Sequence, residues 1–162
     1  VSGVLPRLAA RGWRIHAPTH RLSPEAFADA IAQSRFCLSP GGVGWDCYRH
    51  YEVAALGSVP IFDTRPLTGI EPFLHGREGF YLDPQEDLER ALDSLLRTDD
   101  AAVDRMTAAA QALVTRVYTF DALARYVIAE TLALGPAPRP APSAPPEALI
   151  PAEAGHRQPS ST

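Results

Sequence analysis

The residues with the clearest chemical potential are a cation and a carboxylate three positions apart, Arg49 and Glu52. Within a helix, this spacing places both side chains on one face. A guanidinium can hold phosphate oxygens through paired hydrogen bonds. A carboxylate that accepts hydrogen bonds from sugar hydroxyls contributes about 1.5–3 kcal/mol. The pair therefore suits a nucleoside diphosphate, although spacing alone favours an exposed Arg–Glu ion pair worth about 0.3–0.5 kcal/mol.

A glycine-rich segment, LSPGGVGWD at residues 38–46, immediately precedes this pair. Gly42 and Gly44 would let a ligand approach the backbone closely, and the N–H groups that open the next helix can receive a phosphate. The pattern is not a complete GxGxxG motif, so an ordinary strand–helix turn explains it equally well. Asp46 is the predicted N-cap, and its carboxylate would compete with an anion for the same N–H groups unless Arg49 offsets its charge.

Other reactive residue types form weaker patterns. Ser39 lies outside a GxSxG elbow, which disfavours a serine hydrolase even with His50 and Asp46 nearby. We interpret the histidines as surface or packing residues, because no two of them have metal-ligand spacing; those considered are His16, His20, His50 and His75. No Asp-x-Asp motif occurs, and we predict no metal site.

The composition excludes several classes of function. All 15 basic residues are arginine, so neither a P-loop lysine nor a Schiff-base lysine is available. A net charge of −4 with scattered arginines argues against nucleic-acid binding. No apolar run is long enough to span a membrane. Cys37 and Cys47 are too few for a disulfide framework, which favours a reduced, cytoplasmic setting.

The elements that would position these residues alternate between strands and helices. We predict helices at about 4–11, 23–34, 47–56, 84–96, 100–117 and 120–134, and strands at 13–17, 36–39, 59–62 and 80–82. Ser23 and Asp83 are the predicted caps of two of the helices, and Gly57 is predicted to end a third in the left-handed conformation. This order predicts an α/β fold with a parallel sheet, whose ligands bind beyond the carboxyl ends of the strands. Asp63, Thr64 and Arg65, which follow the third strand, would then lie on the rim of such a site.

The chain divides into two regions by composition. Residues 1–134 are expected to form one folded domain. Residues 135–162 hold eight of the 16 prolines and are predicted to be a disordered Pro/Ala-rich tail.

The segment SRFCLSPGGVGWDCYRHYE at residues 34–52, continuing to Ile61, resembles the exostosin-type glycosyltransferases. It is similar to their S-x-F-x-L-S-P-x-G-x-G-x-D-x-x-R-x-x-E signature over about 28 residues. The resemblance implies a single Rossmann-like half-domain of a GT-B fold, the half that binds the donor. By that likeness Glu52 holds the ribose, Arg49 holds the diphosphate, and Gly42 and Gly44 allow close backbone approach.

The same resemblance implies transfer of a sugar from a nucleotide-sugar donor to a saccharide acceptor, with no cofactor and no obligatory metal. Arg49 would be catalytic, because it would stabilise the charge that develops on the leaving diphosphate. The acceptor-binding N-terminal half-domain would precede Val1, so we expect no transfer by residues 1–162 alone. Two alternatives remain: a non-catalytic donor domain that binds a nucleotide or a protein partner without turnover, and a stand-alone nucleotide- or phosphate-binding regulatory domain that uses the proline tail as its interaction arm.

Overall fold

The computed structural model describes residues 3–42, 44, 46–63 and 69–135, and within these the chain has an α/β fold. A parallel three-stranded sheet carries flanking helices, as the alternation of elements predicts. The elements in chain order are α1 (Val4–Ala10), α2 (Pro24–Ala32), β1 (Phe36–Leu38), α3 (Tyr48–Ala55), β2 (Val59–Phe62), β3 (Phe80–Tyr81), α4 (Leu88–Leu96), α5 (Asp100–Val117) and α6 (Phe120–Leu134).

Strand β2 is the centre of the sheet, with β1 on one side and β3 on the other. All four of its residues are buried, which is typical of a parallel strand covered on both faces. Pro60 is tolerated there because Val59 donates its N–H to Arg35 on the β1 side at 3.0 Å. The nitrogen of Pro60, the next residue, faces the β3 side. Pairing between β2 and β3 begins only at Ile61, opposite Phe80. The missing N–H of Pro60 therefore falls where no ladder bond is needed.

Helices cover both faces of β2, because successive side chains of a strand point to opposite sides. Phe62 packs against Ala54 of α3 and against the Ala110–Val117 part of α5. Ile61 packs on the other face against Leu8 of α1 and Leu92 of α4. The apolar stripes of the two C-terminal covering helices, Leu88/Leu92/Leu95/Leu96 of α4 and Met106/Leu113/Val117 of α5, lie in these and the adjoining apolar clusters.

Several predicted helix boundaries are confirmed by their caps. The Ser23 hydroxyl accepts the N–H of Ala26 at 3.2 Å at the start of α2. Gly57, just beyond α3, has a φ of +89°, which a residue with a side chain would adopt only with strain. The bounds predicted for α5 and α6 match the structure, and α5 begins after Asp99, whose carboxylate accepts the N–H of Ala102 at 2.9 Å.

The strand predicted at 13–17 is wrong, since these residues form no regular element. Trp13 and Ile15 are half-buried against the cluster that contains Leu92, and the Trp13 indole donates to Asp93 of α4 at 3.0 Å. The alternation of apolar and polar residues therefore reflects side-chain packing on a helix and not pairing in a sheet.

The capping box predicted at Asp83 is also wrong. Helix α4 begins four residues later, where the Asp87 carboxylate accepts the N–H of Arg90 at 2.8 Å. Asp83 instead accepts the N–H of Gln85 at 2.8 Å within a turn. Aspartate forms such local turns as readily as caps, so the choice between Asp83 and Asp87 depends on where α4 packs.

Three further sequence predictions concern the C-terminal tail, the cysteines and membrane-spanning segments. The predicted tail lies outside the described residues, apart from Gly135. Cys37 and Cys47 are both free thiols. In the part of the chain that the structure describes, no helix is long and apolar enough to cross a membrane.

Gly79 provides a test of how tightly β3 approaches β2. A Cβ atom there would lie 2.8 Å from the ring of Phe62 and 2.9 Å from the Pro60 carbonyl oxygen. We expect Gly79→Ala to lower the free energy of unfolding by about 1–3 kcal/mol, because the central strand would have to shift. Urea denaturation measures this change. Gly3→Ala is the matched control, since its Cβ would meet only Arg7, at 3.8 Å; equal stability of the two variants would contradict the close approach.

Candidate functional site

The glycine loop, residues 40–46 between β1 and α3, begins at the carboxyl end of β1. Ser39 extends the sheet by donating its N–H to the Ile61 carbonyl at 2.8 Å. The Gly41 N–H donates to the Asp63 carboxylate at 2.9 Å, so the end of β2 holds the loop from the side. Asp63 therefore lies at the same sheet edge as the loop, as its position after β2 predicts, while Thr64 and Arg65 lie outside the described residues.

Gly42 and Gly44 are both exposed. A Cβ atom at either position would make only ordinary contacts, at 4.0 Å from Cys47 and at 3.8 Å from Asp46. Neither glycine has a positive φ. Packing within the described residues therefore does not require glycine here, whereas close approach of a ligand would. The Gly42 N–H donates to the Gly44 carbonyl at 3.1 Å, so in this conformation it is not presented to a ligand.

The start of α3 differs from the prediction, because Asp46 is not its N-cap. Cys47 occupies the cap position, and its side chain makes no capping hydrogen bond. The Asp46 carboxylate instead lies near the Tyr51 hydroxyl, whose pKa it raises. The predicted competition between Asp46 and an anion for the first N–H groups of α3 is thereby removed.

Tyr51, which lies near Asp46, belongs to an aromatic cluster. Its ring centroid lies 4.4 Å from that of Tyr118 and 6.0 Å from that of Phe73. Burial, and then the hydrogen bond to Asp46, raise the pKa of Tyr51 well above its ordinary value. Tyr51 therefore stays protonated throughout the physiological pH range.

The far side of this cluster is anchored by Glu71, in the segment before β3. The Tyr118 hydroxyl donates to the Glu71 carbonyl at 2.5 Å, and Arg116 donates to both carboxylate oxygens of Glu71. Arg116 also lowers the pKa of the Glu71 carboxyl group. These contacts fix the ring of Tyr118 against Tyr51 and so support the first turns of α3.

Arg49 and Glu52 are exposed on α3, one turn apart. In the described part of the chain they form no ion pair with each other or with another residue. Burial raises the pKa of the Cys37 thiol in β1, and the positive charge of Arg49 partly offsets this increase. Both side chains are thus available to a ligand at the carboxyl end of the sheet.

His50 is a buried polar centre that the sequence reasoning missed. The side chain is fully buried, with Nδ1 2.7 Å from the Ser39 hydroxyl and Nε2 3.5 Å from the Cys47 sulfur. Its ring meets Phe62 edge-on, with the centroids 5.1 Å apart. The prediction of a packing residue is confirmed, but the polar contacts were not foreseen. Ser39 is itself fully buried, so its hydroxyl is not exposed as a nucleophile would be.

The other histidines do not join this site. His16 and His20 are exposed in the segment before α2. His75 accepts the Tyr81 N–H at 3.1 Å, beside β3. Among the residues that the structure describes, no group of three or more histidine, cysteine or acidic side chains could hold a metal ion.

The Asp46–Tyr51 contact can be tested by titrating the tyrosines through their near-ultraviolet absorbance. Up to about pH 11, we expect the folded chain and its Tyr51→Phe variant to develop equal tyrosinate absorbance, because Tyr51 stays protonated. The control is the same pair unfolded in urea, which should differ by one tyrosine. A difference of one full tyrosinate between the folded proteins would contradict the buried contact.

Comparison with known proteins gives one match. Residues 9–70 match the family model described as the RXYLT1 C-terminal domain. The matched segment is less than half of the chain, but it contains β1, the glycine loop, α3 and β2. No curated protein and no solved structure matched the chain. The match supports a glycosyltransferase family of the exostosin-like kind.

Proposed function

We propose that this chain binds the donor in a glycosyltransferase that moves a sugar from a nucleotide-sugar donor to a saccharide acceptor. The observation that carries the proposal is the overlap of two findings. The family match covers the glycine loop and α3, and this helix exposes Arg49 and Glu52 without ion-pair partners among the described residues.

Arg49 is the proposed contact to the donor diphosphate and the catalytic residue. A guanidinium matches phosphate geometry through paired hydrogen bonds. As the bond to the sugar breaks, negative charge develops on the leaving diphosphate, and a fixed cation stabilises that charge more in the transition state than in the ground state. The uncapped N-terminus of α3 adds favourable N–H groups and a partial positive charge to the same region.

Glu52 is the proposed contact to the ribose, one helical turn from Arg49. An exposed carboxylate can accept hydrogen bonds from two neighbouring hydroxyls. Gly42 and Gly44 would allow the donor to lie against the loop backbone. Their lack of any packing or φ requirement supports this role.

The proposed architecture is a Rossmann-like half-domain of a GT-B glycosyltransferase. Helices on both faces of a parallel sheet, with the exposed charges at the carboxyl ends of the strands, support it. The saccharide acceptor would then bind to a second half-domain that faces this edge. No step of the proposed chemistry requires a metal or a cofactor, since Arg49 supplies the positive charge.

The binding site can be tested by calorimetry with uridine, guanosine and adenosine diphosphates. We expect at least one of them to bind, and Glu52→Ala to weaken it by about 1–3 kcal/mol, or roughly 5- to 150-fold. Glu130→Ala is the matched control, because Glu130 is an exposed helical glutamate with no ion pair among the described residues. The site assignment fails if no diphosphate binds or if the two variants bind equally well.

A second comparison separates the roles of the two charged residues. If Glu52 holds the ribose, the 2′-deoxy form of the preferred diphosphate should bind more weakly to the wild type, and Glu52→Ala should abolish that preference. Arg49→Ala should weaken both forms equally, because its contact is to the phosphates. Arg105→Ala, at an exposed arginine of α5, is its control. Loss of the ribose preference in the Arg49 variant would contradict the assigned roles.

Turnover distinguishes the enzyme from a nucleotide-binding or protein-interaction module. We expect purified residues 1–162 to bind the diphosphate without transferring sugar, and a protein that also contains an acceptor half-domain to transfer it. The assay follows label from a nucleotide sugar into a saccharide. Transfer by residues 1–162 alone would contradict the need for a second half-domain. Binding without transfer in the longer protein would favour the module.

A further inference from the structure

We infer that Ser39, His50 and Cys47 form a clasp that joins the two ends of the glycine loop and so positions the loop and α3 for the diphosphate. The three are positioning residues, because their contacts are made within the protein. The choice of ligand rests on the proposed function, whereas the clasp itself does not.

The clasp is defined by its place in the chain. Ser39 is the last residue before the loop, and Cys47 is the first residue after it. The Ser39 hydroxyl lies 2.7 Å from Nδ1 of the His50 ring, and the Cys47 sulfur lies 3.5 Å from Nε2 of the same ring. In either neutral tautomer, one ring nitrogen donates and the other accepts, so both contacts can be hydrogen bonds at once. One imidazole therefore bridges the two ends of the loop.

The clasp is tied to the centre of the sheet. The His50 ring packs edge-on against Phe62 of β2, and the Ser39 N–H donates to Ile61 of the same strand. Both Ser39 and His50 are fully buried. A buried polar group that loses its partner costs more than the bond itself contributes, so this pairing strongly favours one arrangement of the loop ends.

The contacts continue into the loop. The Cys47 sulfur lies 3.8 Å from the Pro40 carbonyl oxygen, and Asp63 holds the Gly41 N–H. His50 also follows Arg49 directly on α3, so the contacts of its ring hold the helical turn that carries Arg49. Ordering these groups before the ligand arrives removes an entropy cost from binding, which raises affinity without a new ligand contact.

Four substitutions test the Ser39–His50 contact and the Cys47–His50 contact separately. Ser39→Ala removes the Nδ1 contact, and Cys47→Ala removes the Nε2 contact. His50→Asn keeps an amide near the position of Nδ1, and His50→Gln extends one to the position of Nε2. The matched control is Ser58→Ala, because Ser58 is also fully buried beside β2 but its hydroxyl has no hydrogen-bond partner among the described residues.

The first measurement is amide hydrogen exchange in peptides that cover residues 39–47, without ligand and at a temperature where every variant is folded. We expect exchange to be about tenfold faster in Ser39→Ala, the effect of losing one buried hydrogen bond. His50→Asn should exchange more slowly than Ser39→Ala, while Ser58→Ala should match the wild type. If exchange in Ser39→Ala equals that in Ser58→Ala, the clasp is wrong.

The second measurement is diphosphate affinity by calorimetry under the same conditions. We expect a loss of about tenfold in Ser39→Ala, partial rescue in His50→Asn and no change in Ser58→Ala. A purely structural role would lower the melting temperature but leave the affinity of the folded protein unchanged, and that result would overturn the positioning role. If the wild type binds no diphosphate, the proposed function fails, while the exchange result still decides the clasp.

Discussion

Burial of β2 on both faces is the constraint on which the rest of the structure depends. Phe62 needs α3 and α5 on one side, and Ile61 needs α1 and α4 on the other. Because α3 must cover Phe62, the chain has to cross from the end of β1 to that face within a short loop. Gly41, Gly42 and Gly44 lie in this loop, and Arg49 is exposed on the helix that follows it.

The same burial explains why the site has an apolar floor and a charged rim. His50 and Tyr51 turn inward from α3, toward Phe62 and Tyr118, whereas Arg49 and Glu52 turn outward. Inward residues fix the orientation of the helix, and outward residues are left to meet a ligand. An exposed cation and carboxylate whose helix is held this firmly are better prepared to bind than the same pair on a mobile surface.

Caps and turn residues in the sequence predicted the helix boundaries well where a residue had only one local role open to it. Ser23 caps α2, and Gly57 ends α3 in the left-handed conformation. Prediction failed where two partners competed. The sequence favours Asp46 as the cap of α3, but Cys47 takes that position, and Asp46 lies near Tyr51 of the aromatic cluster. Residues 13–17 have the alternation of a strand, yet Trp13 binds Asp93, a partner 80 residues away.

The sequence by itself determined the α/β alternation, the position of the glycine loop and the helical spacing of Arg49 and Glu52, because each depends on residues close together in the chain. Only the tertiary structure decided that His50 joins Ser39 to Cys47 and that Asp63 holds Gly41. The Ser39–His50 and Gly41–Asp63 contacts join residues 11 and 22 positions apart, and Cys47 meets the same histidine ring from three positions away. They arise because burial of the central strand brings neighbouring strand ends to one edge, where unsatisfied polar groups must find each other.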